Sequence, residues 1–247
     1  MIRNTRELLT KHYQKYPRLQ MQPEAVTAFI GKENDNICYG SETIVEQLDG
    51  GYCSVISNEF IPFLPLFAEL DKRLAEGQVK VAIEGGSGSG KTTLGRMLSD
   101  IYDCTVFHMD DFFLRPEQRT PERFAEPGGN VDRERFLSEV LQPLSIGEPF
   151  SYRKFDCSSM SLGESVTVMP KKLIVTEGAY SMHPELASYY DFSVFLDISP
   201  ELQKKRITQR NTPSLAERFF NEWIPLEREY FSAMNIKEQC DMVISVR

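Results

Sequence analysis

Residues 85–92, Gly85-Gly86-Ser87-Gly88-Ser89-Gly90-Lys91-Thr92, fit the pattern G-x-x-x-x-G-K-[ST]. Glycine lacks the Cβ that would keep backbone N–H groups from converging on phosphate oxygens. A helix opening at the end of such a loop adds unsatisfied N–H groups and a dipole that favour an anion. The pattern therefore predicts a nucleoside triphosphate site, ATP in the first instance, built from Gly85, Gly86, Ser87, Gly88, Ser89, Gly90, Lys91, Thr92 and Thr93. Lys91 is expected to neutralise the β- and γ-phosphates, and the Thr92 hydroxyl to bind Mg²⁺.

Two further places put acids after short apolar runs. Phe107-His108-Met109-Asp110-Asp111-Phe112-Phe113 follows one run, and Leu173-Ile174-Val175-Thr176-Glu177-Gly178 ends another. Acids at the carboxyl edge of an α/β sheet sit where such sheets bind ligands. A carboxylate there can take the proton of an acceptor hydroxyl or help position Mg²⁺. Asp110 and Glu177 are thus expected, with Thr92, to hold the metal, and Asp110 also to act as base. His108 and His183 are read as packing and turn residues. Three histidines without a carboxylate cluster at ligand spacing make no zinc site. Glu227 and Arg228 follow Trp223-Ile224-Pro225-Leu226, a stretch read as core, with no sequence argument that brings them to the pocket.

The elements that must position these groups are legible from residue 78 onward. Strands are predicted at 79–83, 105–107, 173–175, 192–196 and 242–244. Helices are predicted at 91–102, 132–141, 200–210 and 214–234. Short apolar strands alternating with helices imply βαβ units and a parallel sheet covered on both faces. The expected fold is α/β, a doubly wound parallel-sheet P-loop domain over residues 78–247. Residues 1–77 are expected as a helical N-terminal extension. Helices there are predicted over 3–16, after Pro23 (with Ala25, Val26, Phe29 and Ile30 apolar) and from Phe60 to Leu74. Residues 31–51 read as polar and turn-rich.

Composition bounds the partners. The 247 residues are 41% hydrophobic and 26% charged, with a net charge of -8, so no global basic footprint for nucleic acid exists. The longest apolar run, Phe60 to Ala68, is nine residues interrupted by Pro62 and Pro65, short of the roughly 18 a membrane span needs. Arg3, Arg6 and Glu7 stand where a signal peptide needs apolar residues, and the five cysteines are scattered without a CxxC pair. The expectation is a cytoplasmic protein acting on a small-molecule phosphate acceptor, with neither nucleic acid nor membrane as partner; a homo-oligomer stays open.

The string of residues 85–93, Asp110-Asp111-Phe112-Phe113, Asn130-Val131-Asp132, Glu177-Gly178 and the basic stretch from Lys204 to Arg210 resembles the uridine kinase, nicotinamide riboside kinase and phosphoribulokinase group of P-loop kinases. The motifs occur in the group's order over about residues 78–246. The resemblance implies that Asp110 is the catalytic base and that Asp132 contacts acceptor hydroxyls. It implies further that Asp111, Tyr152 and Asp156 line the acceptor pocket. Lys204, Lys205, Arg206 and Arg210 would form a lid, with Arg206 and Arg210 on one helix face neutralising charge on the transferring group. The run Tyr152-Arg153-Lys154-Phe155-Asp156 departs from the Tyr-Asp and downstream His of the uridine kinases.

The function expected is transfer of the ATP γ-phosphoryl group to a hydroxyl, with a nucleoside the first choice of acceptor. Pantothenate, glycerate or a pentose phosphate are the alternatives. The rival from another class is a regulatory nucleotide switch. No N-K-x-D guanine signature follows the loop, and Glu177 stands where a Walker-type hydrolase more often has Asp.

Overall fold

The computed structural model describes residues 29–30, 43–47 and 53–247, with side chains from residue 59 onward. The chain divides into two compact units, Met1–Glu76 and Gly77–Arg247. In the first, β1 (Phe29–Ile30) pairs parallel with β2 (Thr43–Gln47), which pairs antiparallel with β3 (Cys53–Ser57). A 3₁₀ turn over Asn58–Phe63 leads into α1 (Leu64–Glu76), which buries Leu66, Phe67 and Leu70. The helix expected from Phe60 is present, but the unit is not helical throughout. Phe29 and Ile30, assigned from sequence to a helix, pair instead with Val45 and Glu46. Thr43-Ile44-Val45 and Val55-Ile56 are β-branched runs that suit a pleated surface, and interleaved polar residues masked them. The helix expected over 3–16 lies outside the described residues.

The second unit is built on a five-stranded parallel sheet. Its strands are β4 (Val79–Gly85), β5 (Cys104–His108), β8 (Leu173–Glu177), β9 (Phe192–Ile198) and β10 (Met242–Val246), in the order β10-β9-β4-β8-β5. All five predicted strands are there. β4 is central, with β8 and β5 on one side and β9 and β10 on the other, so chain paths diverge at its carboxyl end and leave a crevice. The strands of this central part are mostly apolar, as burial on both faces demands, with acids at their carboxyl ends. β8 is buried at every position.

The period of two sorts the functional side chains onto two faces. Paired register places Val81, Ile83, Val175, Glu177, Val106 and His108 on one face. α2 (Lys91–Ile101) packs there through Leu94, Met97 and Leu98. It approaches closely at Gly95, whose missing Cβ would lie 3.6 Å from both Glu177 Cγ and Val106 Cγ1. The opposite face carries Ala82, Glu84, Phe107 and Phe195 against an aromatic cluster.

Three elements supply much of that cluster. One is α3, residues 133–146, continuous through a π-helical stretch at Leu137–Leu141. Another is an antiparallel hairpin of β6 (Phe150–Asp156) and β7 (Ser161–Val168), which the sequence did not disclose. The third, α5 (residues 213–233), follows α4 (Pro200–Arg210) and also runs through a π-helical stretch, at Phe219–Trp223. Phe112 meets Phe136 edge-on at 4.8 Å and stacks on Tyr152 at 5.5 Å. Phe136 is fully buried. Phe136→Ala should therefore cost about 3–5 kcal/mol in urea unfolding, with the cavity left under the Asp110–Phe112 turn.

Candidate phosphate-loop active site

The loop between β4 and α2 is shaped by its glycines. Gly85, Gly88 and Gly90 have φ of 143°, 81° and 101°, a region L-residues rarely enter. At Gly85 a Cβ would also stand 2.6 Å from the Leu196 carbonyl oxygen. Every carbonyl of residues 85–89 is engaged from outside. Lys91 Nζ donates to Gly85 O (2.6 Å) and Gly86 O (3.1 Å). Gln203 Nε2 donates to Ser87 O (2.9 Å), and Arg206 Nη1 to Gly88 O (3.0 Å) and Ser89 O (3.4 Å). These bonds hold the loop in its glycine-dependent conformation. The helix adds its own: Leu94 N–H is the first to bond back, to Gly90 O, which leaves the amides of Lys91, Thr92 and Thr93 available to an anion.

Two loop amides are taken by buried carboxylates that sequence reasoning passed over. Glu227 of α5 accepts from Ser87 N (2.8 Å) and Ser87 Oγ (2.5 Å). Glu84, fully buried, accepts from Gly85 N (2.9 Å), Tyr180 N (3.2 Å), Met182 N (3.0 Å) and Tyr230 Oη (3.1 Å). Glu227 and Tyr230 lie three apart and so share a face of α5, one fixing the apex of the loop and the other, through Glu84, its base. The only signal in the sequence was an acid in an otherwise apolar turn, which is weak by itself.

On the α2 face, Glu177 Oε1 accepts from Thr92 Oγ1 (3.0 Å) and pairs with His108 Nδ1 (2.5 Å). The bond to Glu177 raises the His108 pKa above its ordinary value, so His108 does more than pack. Asp110 is exposed in the turn after β5, at the carboxyl edge of the sheet. Its carboxyl pKa is raised, first by burial; Lys91 pulls it down, and Glu177 pushes it further up. Thr92, Glu177 and Asp110 are the hard oxygen donors that Mg²⁺ takes, a few protein groups with phosphates and waters completing its shell. Among the described residues no group of three or more His, Cys, Asp or Glu could by itself hold a metal ion.

The remaining expected site residues divide. Asp132 is buried; its Oδ1 caps α3 at Arg135 N (3.2 Å), and its Oδ2 lies 3.4 Å from Arg115 Nε and Arg135 Nε. It faces a cavity of 570 Å³. Asp111 pairs with Lys154 of β6 at 2.8 Å. Tyr152 corrects the expectation for it: the ring is buried against Phe107 and Phe112 and so is not a wall of the acceptor cavity. Asp156 is likewise corrected. Its carboxylate closes the hairpin turn by accepting from Ser158 N (2.8 Å), Ser158 Oγ (2.7 Å) and Ser159 Oγ (2.9 Å). Arg206 and Arg210 share α4 as expected, but neither is on the phosphate side. Arg206 grips loop carbonyls, whose partial negative charge attracts it, and Arg210 stands 5.3 Å over the Phe219 ring.

Burial pushes the Glu84 pKa up to about 7, against the pull of its donors and of Lys91. A raised carboxyl pKa means the folded protein holds the proton more tightly than the unfolded chain. The stability this contributes is complete below pH 4.5 and is lost as pH rises through about 7. Urea unfolding of Glu84→Gln across pH 4.5–8 should therefore show a curve flatter than the wild type by about 2–3 kcal/mol. Parallel curves would contradict the assignment.

The comparisons with known proteins agree with this architecture. No family profile matches the chain. In sequence it is 26% identical over 183 residues to the uridine kinase of Bacillus cereus strain B4264, covering 67% of this chain and 84% of that one. It is 28% identical over 145 residues to the phosphoribulokinase of Synechocystis, 57% of this chain and 43% of the relative's length. Among solved structures, a "possible uridine kinase" from Bacillus stearothermophilus superposes with a TM-score of 0.54 at 21% identity, covering 73% of this chain and 100% of that one. A candidate fructose transport system kinase from Silicibacter sp. TM1040 gives 0.55 at 21%, covering 71% and 97%. The chain has the α/β P-loop kinase fold, and its sequence is similar to the uridine kinase and phosphoribulokinase group.

Proposed function

We propose that residues 78–247 form an ATP-dependent kinase domain that transfers the γ-phosphoryl group to a hydroxyl of a small metabolite, with residues 1–77 as an extension to it. The observation that carries this reading is the placement of Asp110. Its carboxylate lies in the turn after β5, within electrostatic reach of Lys91 and Glu177. A carboxylate beside a triphosphate cradle has an acceptor proton to take.

In the proposed reaction, the amides of Gly86, Gly88 and Gly90 and of the first turn of α2 orient the triphosphate, and Lys91 leaves the Gly85 and Gly86 carbonyls for its oxygens. Thr92 and Glu177 would hold Mg²⁺, with Asp110 beside them. When bound, the ion supplies charge neutralisation at the β- and γ-phosphate oxygens. His108 holds the Glu177 carboxylate in place. Asp110 takes the proton of the acceptor hydroxyl as its oxygen bonds to the γ-phosphorus. The bond from that phosphorus to the β–γ bridging oxygen breaks, and ADP leaves with the electron pair. Asp132, which lines the neighbouring cavity, is the residue assigned to another acceptor hydroxyl. Arg210, exposed on α4, would have to leave the Phe219 ring to approach the transferring group, while Arg206 positions the loop.

The test is Asp110→Asn. Acceptor-dependent ADP release should fall by about 10²–10⁴-fold, while the dissociation constant for Mg·ATP, read by calorimetry, stays within about threefold. Undiminished transfer would remove Asp110 from the base position. ATP turnover that no acceptor stimulates would favour a regulatory nucleotide switch.

A further inference from the structure

We infer that Ser87 is an anchor of the phosphate loop and not a ligand of the nucleotide, and that Glu227 and Gln203 are positioning residues that hold the loop through it in the shape that binds triphosphate. The inference rests on the nucleotide-site part of the reading above and adds to it residues that act through the loop.

Ser87 has three groups able to hydrogen-bond, and the protein takes all of them. Its N–H and its hydroxyl both donate to Glu227, to Oε2 at 2.8 Å and to Oε1 at 2.5 Å. Its carbonyl oxygen accepts from Gln203 Nε2 at 2.9 Å. Phosphate oxygens are acceptors, and both donors of Ser87 are already spent on a carboxylate. The residue belongs to the loop motif by position, yet its bonds run to helices 116 and 140 residues further along the chain.

The two partners are built into the protein for this contact. Glu227 and Gln203 are both buried, and a buried carboxylate is costly unless charge and hydrogen bonds compensate. Burial raises the Glu227 pKa, and the charge of Lys91, ahead of the Ser87 bonds, pulls it back. Gly86 makes room for the pair: a Cβ there would stand 3.0 Å from Gln203 Nε2 and 3.5 Å from Glu227 Oε2. Gln203 comes from α4 and Glu227 from α5, and Ile207, Ala216 and Ile224 join those helices in one buried cluster. The apex of the loop is therefore held by two helices packed on each other.

Glu227 acts on a bound triphosphate in two ways of opposite sign. Its negative charge repels an anion. Its two bonds to Ser87 hold the loop in place, and hydrogen bonds to a charged group are the strong ones. Lys91 offsets part of the repulsion. The net effect of the carboxylate is thus to favour the nucleotide, although its charge alone would do the reverse.

The experiment measures dissociation constants of Mg·ATP and Mg·ADP by calorimetry on the full chain. It compares the wild type, Glu227→Gln, Ser87→Ala and the double variant. Glutamine nearly keeps the shape of glutamate but turns an NH₂ donor toward one of the two Ser87 donors. Glu227→Gln should weaken both nucleotides in parallel, by about tenfold or more, even though it removes a negative charge. Ser87→Ala keeps the carboxylate and the amide bond, so it should weaken them less, and it should add nothing beside Glu227→Gln. Unchanged or tightened binding in Glu227→Gln overturns the inference. So does a loss confined to ATP, which would place these groups on the γ-phosphate. A Ser87→Ala loss undiminished beside Glu227→Gln overturns it too, by making the hydroxyl a nucleotide ligand. Hydrogen exchange separates positioning from general destabilisation: in Glu227→Gln the Ser87 amide should lose protection while the amides of β8 keep theirs, and a loss shared by the whole sheet contradicts the assignment. If Glu227→Gln folds poorly, Ser87→Ala alone decides, since it should weaken ATP and ADP together, and no loss or a loss for ATP only refutes the anchor. A wild type that binds neither nucleotide removes the kinase reading and the inference with it; each of the other outcomes leaves that reading standing.

Discussion

The anchoring of the loop carbonyls is the constraint on which the rest of the site depends. A backbone loop presents as many acceptors as donors, and each acceptor held inside the protein needs a partner. Here Lys91, Gln203 and Arg206 donate to the carbonyls of residues 85–89, which fixes the conformation of the loop. Two of those three residues come from α4, the helix that the motif string marks as the lid. Loop geometry and the position of α4 are therefore joined through the same hydrogen bonds.

The parallel sheet supplies the second level of organisation. Because successive residues of a strand point to opposite faces, Glu84 at the end of β4 falls on the aromatic face, while Glu177 and His108 at the ends of β8 and β5 fall on the α2 face. One carboxylate is thereby locked into a buried network that fixes the loop base. The other stays beside Thr92, where a metal can use it. Identical chemistry at neighbouring strand ends acquires two roles from strand parity alone.

The sequence made the catalytic edge of the sheet legible because its signals are local. Glycine spacing, an apolar strand ending in acid and the helix periodicities of α2 and α4 are each contained in a short window. The five sheet strands and Phe60–Leu74 follow from the same kind of pattern. The hairpin of β6 and β7 was hidden because Arg153, Lys154 and Glu164 interrupt its apolar alternation. Tyr152 was given to the acceptor and belongs to the core; Asp156 was given to the acceptor and closes a turn. Glu227 was left unassigned because its contact with Ser87 spans 140 residues, and no local pattern records such a pairing. Residues whose partners are distant in the chain are where sequence reasoning stops.

The acceptor side shows charge spent on structure in the same way. Ion pairs such as Arg123–Glu134 hold the turn before α3.

Amide chemical shifts of the ¹⁵N-labelled chain, titrated with Mg·ATP, test the central claim most directly. The account predicts large downfield proton shifts at Gly86, Gly88, Gly90, Lys91 and Thr92, with much smaller changes at Gly85 and Ser87, whose N–H groups are already held by Glu84 and Glu227. Shifts confined to residues outside the loop, or a Ser87 response as large as that of Gly88 and Gly90, would contradict it.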